Sequence, residues 1–264
     1  MARLGVAATA PFGADVLERL ASRHEIVFCL TRPDRPRGRG RRIAPPPAKD
    51  FAERLGIPVL QPERLGQEVE LPAEDVVVVA YGQLVPAQLL DAHAWWNVHP
   101  SLLPRWRGAA PVERAIMAGD RETGVTIIRL VEELDAGPIA AQRALPIEPD
   151  DDAGAVYAKA APVAVELLDE ALATRSLHPQ PTGGITYADK IGPADREIDW
   201  CRSADQIVDH IRALSPHIGA RAELHGRPVT IWRACVEDGQ VVPLEIQPDG
   251  GRRMTYREWL RGLR

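Results

Sequence analysis

The sequence lacks any apolar run approaching the ~18 residues of a transmembrane helix, so we expect no membrane partner. It contains only three cysteines, Cys29, Cys201 and Cys235. An odd number of widely separated cysteines argues against a disulfide framework and against a zinc knuckle, and favours the reducing cytoplasm. Disorder is excluded for the chain as a whole, because 45% of the 264 residues are hydrophobic and 26% are charged.

Asparagine and lysine are almost absent. Asn97 is the only asparagine, and lysine occurs only at positions 49, 159 and 190 while the remaining cations are arginines. A genome of high GC content would produce both biases. The one asparagine that remains is therefore a candidate functional residue.

The formal net charge of -5 is unevenly distributed. Residues 32–49 contain seven cations and a single anion, Asp34, and residues 201–264 are also net basic. An acidic protein with local basic segments is typical of one that meets a polyanion at defined places, and not of a general nucleic-acid coat.

Short apolar runs alternate with helical patterns through the first half of the chain. The predicted strands are Leu4–Ala8, Ile26–Leu30, Ile57–Leu60, Val76–Ala80, Trp95–Val98, Gly124–Leu130 and Ile139–Leu145. The valine-rich run at 76–80 is typical of a strand buried on both faces. This order predicts an α/β fold with a mostly parallel sheet that binds ligands at the carboxyl ends of its strands.

The second half of the chain changes in character. A helix is predicted over 152–174, and residues 175–184, which contain proline and glycine without periodicity, are interpreted as a linker or exposed loop. Ser203-Ala204-Asp205-Gln206 has the form of a capping box. Short strand-like pieces follow at Ala220–Leu224, Val229–Ala234 and Val241–Ile246. We predict a main domain over 1–180, a linker over 181–202 and a small β-rich domain over 203–264.

The strongest candidate for a catalytic group is Asn97-Val98-His99. Alternate residues of a strand project to the same side, so the carboxamide and the imidazole are presented together. An imidazole exchanges protons near neutral pH, and a carboxamide can donate a hydrogen bond to a developing oxyanion. Asp135, in a turn between two predicted strands, would orient His99 and hold a proton. Spacing alone leaves open that all three residues serve only local turns and strand ends. No histidine lies in a ligand-spaced cluster, so we predict no metal.

Three segments together form one signature. They are Asn97-x-His99-x-Ser101-Leu102-Leu103-Pro104-x-x-Arg107-Gly108, Thr123-Gly124-Val125-Thr126 and Leu134-Asp135-x-Gly137. This pattern resembles that of the 10-formyltetrahydrofolate-dependent formyltransferases. The resemblance implies a Rossmann-like formyltransferase domain, 10-formyltetrahydrofolate as formyl donor, and Asn97, His99 and Asp135 as the catalytic trio. It also implies a folate site lined by Ser101, Leu102, Leu103 and Pro104 and by the loop Tyr81, Gly82, Gln83 and Leu84.

Two further segments resemble the members of this family that act on methionyl-tRNA. They are Pro33-Asp34-Arg35-Pro36-x-Gly38-Arg39-Gly40-Arg41-Arg42 and Tyr187-Ala188-x-Lys190-Ile191. The likeness implies initiator methionyl-tRNA as acceptor, with Arg39, Arg41 and Arg42 in a loop that contacts the acceptor stem. We expect a monomer. A merely solvated arginine loop is the alternative. Residues 203–264 are short for the family's OB-type barrel, so a truncated, OB-like domain is expected.

Other functions stay open at this stage. A sugar-nucleotide N-formyltransferase would share the signature and the folate, and so would a hydrolase that releases formate. A non-catalytic RNA-binding paralogue is the alternative from another class, although the intact trio argues against it. A dinucleotide-dependent oxidoreductase is disfavoured because no G-x-G-x-x-G follows the first strand.

Overall fold

The computed structural model describes residues 1–37, 42–66 and 68–263. The chain forms two compact units. The first comprises Met1–Arg107, Gly124–Ala144 and Ala158–Thr186, and the second comprises Gly108–Thr123, Leu145–Tyr157 and Tyr187–Arg264. The second unit therefore includes two segments that precede the predicted linker.

The strands are short, and many of them begin within a residue or two of the predicted positions. In chain order they are β1 (Arg3–Ala8), β2 (Glu25–Leu30), β3 (Arg35–Arg37), β4 (Arg42–Ala44), β5 (Val59–Leu60), β6 (Asp75–Val79), β7 (Ala94–His99), β8 (Arg107–Gly108), β9 (Glu122–Arg129), β10 (Ile139–Pro146), β11 (Tyr187–Ala188), β12 (Ala220–Leu224), β13 (Arg227–Glu237), β14 (Gln240–Pro248) and β15 (Met254–Thr255).

The helices of the described residues are α1 (Pro11–Ala21), α2 (Pro47–Arg54), α3 (Ala87–Ala92), α4 (Pro111–Met117), α5 (Ala153–Thr174), α6 (Ala204–Ala213) and α7 (Tyr256–Arg261), and a 3₁₀ turn lies at Ala194–Arg196. Among the described residues, every helix is too short or too polar to cross a membrane.

A seven-stranded sheet organises the first unit, in the order β10-β9-β7-β6-β1-β2-β5. Neighbouring strands from β7 to β5 run parallel, and β9 runs antiparallel to β7. All five residues of β6 are buried, as their valine-rich sequence predicts for a central strand. The predicted Rossmann-like, mostly parallel sheet is thus confirmed.

Helix α1 packs very closely on this sheet. It begins at Pro11, where the missing N–H of proline costs nothing in the first turn. Gly13 allows the close approach, because a Cβ atom there would lie 2.5 Å from the Val79 carbonyl oxygen. Beneath the sheet, a hydrophobic core forms around Phe28, Tyr81 and Trp95.

The second unit contains a four-stranded sheet in the order β12-β13-β14-β15, with antiparallel pairing between neighbours. Strands β13 and β14 extend beyond the predicted pieces, because Asp238 and Gly239, with φ of 50° and 74°, join them in a tight two-residue turn. The predicted capping box of α6 is present: the Ser203 side chain accepts from the Gln206 backbone and the Gln206 side chain from the Ser203 backbone. The predicted β-rich C-terminal part is thereby confirmed.

Candidate active site

Strand β7 positions Asn97 and His99. It is held on one side by parallel β6 and on the other by antiparallel β9, with Asn97 opposite Ile128 and His99 opposite Thr126. His99 is buried and Asn97 is partly buried. Because the two residues alternate along a strand paired on both sides, their side chains are fixed on one face of the sheet.

Asp135 contacts both of these side chains. Asn97 Nδ2 donates to Asp135 Oδ1 at 3.2 Å, and His99 Nδ1 lies 3.6 Å from Asp135 Oδ2. Asp135 is itself buried, in the segment that connects β9 to β10. The structure therefore brings together the three residues that the sequence singled out, although Asn97 and Asp135 are 38 positions apart in the chain.

A backbone carbonyl determines the tautomer of His99. His99 Nε2 lies 2.8 Å from the Trp106 carbonyl oxygen. Because a carbonyl oxygen only accepts, Nε2 carries the hydrogen, and in the neutral ring Nδ1 is left as a lone pair facing Asp135. Burial lowers the pKa of His99 below its ordinary value, against the opposing effects of the Asp135 charge and the Trp106 carbonyl. The imidazole next to Asp135 is therefore a weaker base than an ordinary histidine.

Left-handed backbone conformations are found at both partners of His99. Asp135 has φ of 48° and Trp106 has φ of 65°. Aspartate tolerates this region better than most residues, whereas for tryptophan it is strained. Strain of this kind persists where surrounding contacts impose it and is common at active sites.

A close backbone contact explains the glycine of the Leu134-Asp135-x-Gly137 motif. A Cβ atom at position 137 would overlap the Arg129 carbonyl oxygen. The turn that carries Asp135 therefore lies directly against the end of β9, and the motif glycine is required by close backbone contact.

Sequence reasoning missed Gln180. Its Nε2 donates to the carbonyl oxygens of Asp135 at 2.7 Å and Gly137 at 2.8 Å. Its Oε1 accepts from Arg107 Nε at 3.2 Å and Nη2 at 2.8 Å. Gln180 lies in the segment interpreted as a linker or exposed loop, and the available signal was a lone glutamine between two prolines.

The Thr126 hydroxyl holds the predicted folate segment 101–104 by its backbone groups. Thr126 Oγ1 donates to the Ser101 carbonyl at 2.6 Å and accepts from the Leu103 amide at 3.2 Å. The side chains of Ser101 and Leu103 are buried, and those of Leu102 and Pro104 are partly exposed. Leu102 and Pro104 are thus the members of this segment whose side chains reach the surface.

The predicted pterin loop has a buried and an exposed part. Tyr81 is buried in the core, Gln83 is partly buried, Gly82 is exposed, and Leu84 is 85% exposed. Gly82 has φ of 76°, a conformation that favours glycine. Burial raises the pKa of the Tyr81 phenol to about 12.

Two buried polar atoms next to this loop have no hydrogen-bond partner within the part of the chain that the structure describes. They are the Tyr81 hydroxyl and Arg32 Nε. The Arg32 side chain passes Gly82, since a Cβ atom there would lie 3.8 Å from Arg32 Nη1. Both atoms are buried, so their hydrogen-bonding capacity is unused among the described residues.

The arginine-rich segment lies partly in a short antiparallel pair. β3 pairs with β4, and Arg42 is opposite Arg37. Arg42 and Ile43 are exposed. Arg39 and Arg41 lie outside the described residues. In the described ranges, no group of three histidine, cysteine, aspartate or glutamate residues is arranged to hold a metal ion.

Comparison with known families gives matches over most of the chain. The formyl transferase family matches residues 4–172, and the formyl transferase C-terminal domain matches residues 190–241. The chain belongs to the formyl transferase family. The first match includes Asn97, His99 and Asp135, whereas Gln180 lies between the two matches.

Similar proteins of the family are found in several bacteria. The methionyl-tRNA formyltransferase of Halorhodospira halophila is 41% identical over 302 residues, covering 100% of this chain and 97% of that protein. That of Thermus thermophilus is 39% identical over 292 residues, covering 98% and 96%. The first alignment is longer than this chain of 264 residues, so the relative has residues opposite gaps here. This agrees with a family member shortened relative to its homologues.

Solved structures with the same fold include two formyltransferases. A methionyl-tRNA formyltransferase from Clostridium thermocellum superposes with a TM-score of 0.67 at 16% identity, covering 94% of this chain and 99% of that chain. An N-formyltransferase from Helicobacter canadensis, in complex with folinic acid and dTDP-3-aminofucose, gives 0.69 at 16% identity, covering 97% and 99%. These likenesses show the formyltransferase fold and do not distinguish the acceptor.

Proposed function

We propose that this chain transfers the formyl group of 10-formyltetrahydrofolate to the α-amino group of initiator methionyl-tRNA. The observation that carries this assignment is the identity of about 40% to methionyl-tRNA formyltransferases over nearly the whole length of both chains. The contact of Asn97 and His99 with Asp135 supplies a chemical rationale. The sugar N-formyltransferases share the fold at much lower identity.

The first step is attack of the neutral amine on the formyl carbon. A carbon–nitrogen bond forms, and the carbonyl electron pair moves to oxygen as an oxyanion. Asn97 has two amide hydrogens, of which one bonds Asp135, so the second can donate to this oxyanion. A donor placed in this way is typically worth about 3 kcal/mol of the barrier.

The proton lost by the amine goes to the Asp135–His99 pair. The Asp135 carboxylate accepts it, and the lone pair of His99 Nδ1 at 3.6 Å shares it. When the shared proton is on His99, the imidazole is positively charged and stabilises the oxyanion formed in the first step. When the tetrahedral intermediate collapses, the bond from the formyl carbon to folate N10 breaks, and this nitrogen takes the proton back from the pair. Tetrahydrofolate leaves as a neutral amine.

The residues of the two predicted folate segments have distinct tasks in this proposal. Gly82, which is exposed, gives the ring close access to the backbone, and the Arg32 side chain lies beside it. Leu84 and Leu102 provide apolar contact. No metal is used in any step, because the polarisation of the formyl group comes from Asn97.

The tRNA is expected to contact the arginine-rich segment. Guanidinium groups fork onto phosphate oxygens, and Arg42 is exposed on β4. We place Arg39 and Arg41 in the same role on the basis of the sequence. The β-rich C-terminal part is proposed as a second tRNA contact.

The experiment measures transfer of labelled formyl from 10-formyltetrahydrofolate by the purified protein. Methionyl-tRNA of initiation, uncharged tRNA and a panel of amino-sugar nucleotides serve as parallel acceptors. We expect label on the charged tRNA alone. Label on an amino sugar would move the assignment to a sugar formyltransferase, and release of free formate without acceptor would indicate a hydrolase.

A further inference from the structure

We propose that Arg107 and Gln180 are positioning residues that hold Asp135 in its reactive orientation. The inference rests on the proposed role of Asp135 in formyl transfer. Gln180 bonds the two carbonyl groups that flank Ala136, one of them belonging to Asp135 itself. Arg107, which is buried, bonds the other end of the Gln180 side chain. Gln180 therefore acts on the backbone of the turn that carries Asp135, and Arg107 acts on this backbone through Gln180.

The chain brings Gln180 to this turn by backbone pairing. After α5, the backbones of His178 and Ile139 exchange two hydrogen bonds of 2.8 Å. Ile139 is the first residue of β10, immediately beyond the turn that carries Asp135. Residue 180 follows two positions later, so its side chain is delivered to the same turn.

The chemistry of Arg107 fixes which end of the Gln180 amide faces the turn. A guanidinium group only donates, so the oxygen of Gln180 must face Arg107. Its NH₂ group must then face the two carbonyls, and each of its hydrogens has one acceptor. The amide of Gln180 is fully used, and its orientation is unique.

The turn needs such a support because its backbone conformation is unfavourable. Asp135 adopts φ of 48°, and Gly137 is pressed against the Arg129 carbonyl. The turn is held by the hydrogen bonds of Gln180 on one side and by contact with β9 on the other. Loss of the Gln180 hydrogen bonds would let Asp135 relax toward an ordinary conformation.

Arg107 also connects the turn to His99. It follows Trp106, whose carbonyl accepts from His99 Nε2. Thr186 fixes the backbone of Trp106 and Arg107. Its carbonyl accepts from the Arg107 amide and its hydroxyl accepts from the Trp106 amide, both at 2.9 Å. One arginine thus links the group that orients His99 to the group that orients Asp135, and so sets the distance between these two side chains.

The competing interpretation is that Gln180 merely anchors the segment after α5. Gln180→Glu separates the two. A glutamate keeps the acceptor for Arg107, as an ion pair, so the anchor remains. It loses both N–H donors and places negative charge against the carbonyls of Asp135 and Gly137. An anchoring role would survive this change, whereas a positioning role would not.

The test compares Gln180→Glu and Gln180→Ala with Gln88→Glu, which makes the same charge change at an exposed site of α3. We expect kcat for formyl transfer to fall at least about tenfold in both Gln180 variants, with KM for both substrates changed less than about threefold. Gln88→Glu should retain wild-type kcat. A Gln180→Glu variant that folds and turns over at the wild-type rate would overturn the proposal.

Two readouts keep the test independent of the assigned activity. Hydrogen exchange of the peptide around 131–138 should accelerate in Gln180→Ala and Gln180→Glu. In Gln180→Ala, which adds no charge, the NMR titration midpoint of His99 should fall as Asp135, the charge acting on it, moves away. If the wild-type protein formylates no tRNA, the proposed function fails while these readouts still decide the positioning role. Unchanged exchange and an unchanged His99 midpoint would overturn it.

Discussion

At the residue scale, the account depends on Asn97 as a donor to the oxyanion. Asn97→Ala removes both amide hydrogens, so kcat should fall by about a hundredfold. Binding of folate to the free protein should be nearly unchanged, because the oxyanion does not exist in the ground state. Initial rates of formyl transfer measure kcat, and titration with folate measures binding. Gln88→Ala on the surface of α3 is the matched control, and a loss of less than threefold in Asn97→Ala would refute the donor role.

A second prediction at this scale concerns the protonation of His99. Burial lowers its pKa, so in the folded protein the imidazole is neutral at pH 7 and gains its proton only below the ordinary value of 6.5. Because Asp135 opposes this shift, Asp135→Asn should lower the midpoint further. An NMR titration of the imidazole resonances measures both midpoints. A wild-type midpoint above 6.5 would show that the Asp135 charge outweighs burial.

The spacing of Asn97 and His99, together with the family signature that adds Asp135, predicts these three residues as one group but does not give their hydrogen bonds. The i, i+2 spacing of Asn97 and His99 in a strand predicts a shared face, which the structure confirms. The tautomer of His99 depends on its contact with the carbonyl of Trp106, a residue with φ of 65°. No composition or periodicity marks a tryptophan for that conformation.

At the scale of elements, the turn between β9 and β10 is the part most sensitive to substitution. In Gly137→Ala the new methyl group would overlap the Arg129 carbonyl, so the free energy of unfolding should fall by more than about 2 kcal/mol. Urea unfolding followed by circular dichroism measures it.

Gly183→Ala is the matched control for this glycine. A Cβ atom at position 183 has no neighbour within 4 Å, and the expected change in unfolding free energy is below about 1 kcal/mol. Equal effects of the two substitutions would contradict the close contact between the turn and β9.

Elements with a clear period could be predicted from the sequence, and those without one could not. The strand at 220–224 and the capping box at Ser203 are where the pattern predicts them. Gln180 was missed because a segment rich in proline and glycine gives no periodic signal. Its position is decided by pairing with Ile139, which is distant in sequence.

At the scale of the whole molecule, recognition of tRNA should depend on the arginine-rich segment. Replacing Arg39, Arg41 and Arg42 together by alanine should raise KM for methionyl-tRNA. It should also reduce the slope of log affinity against log salt by about two to three, because each phosphate contact contributes close to one. Binding titrations between 50 and 200 mM salt (~fourfold) measure the slope.

The control for this prediction removes the same charge elsewhere. Arg3, Arg19 and Arg23 each pair with a carboxylate in the first unit. Replacing these three arginines by alanine changes the net charge by the same amount as replacing Arg39, Arg41 and Arg42. This control should leave the salt slope unchanged. An equal reduction in both variants would show that net charge alone accounts for the salt dependence.

The fold of the molecule followed from the sequence more fully than its acceptor did. Alternating strands and helices predict the parallel sheet, and the signature around Asn97 implies the family. The fold does not determine the acceptor, since a methionyl-tRNA formyltransferase and an N-formyltransferase in complex with dTDP-3-aminofucose share it.

The central claim is that Asn97, His99 and Asp135 act as one unit in formyl transfer to methionyl-tRNA. The most direct measurement is the single-turnover rate of labelled formyl transfer by wild-type protein and by His99→Ala, with both substrates saturating. We predict transfer to methionyl-tRNA by the wild type and a rate at least about a hundredfold lower for the variant, which still binds folate. A His99→Ala protein that transfers formyl at nearly the wild-type rate would contradict the account.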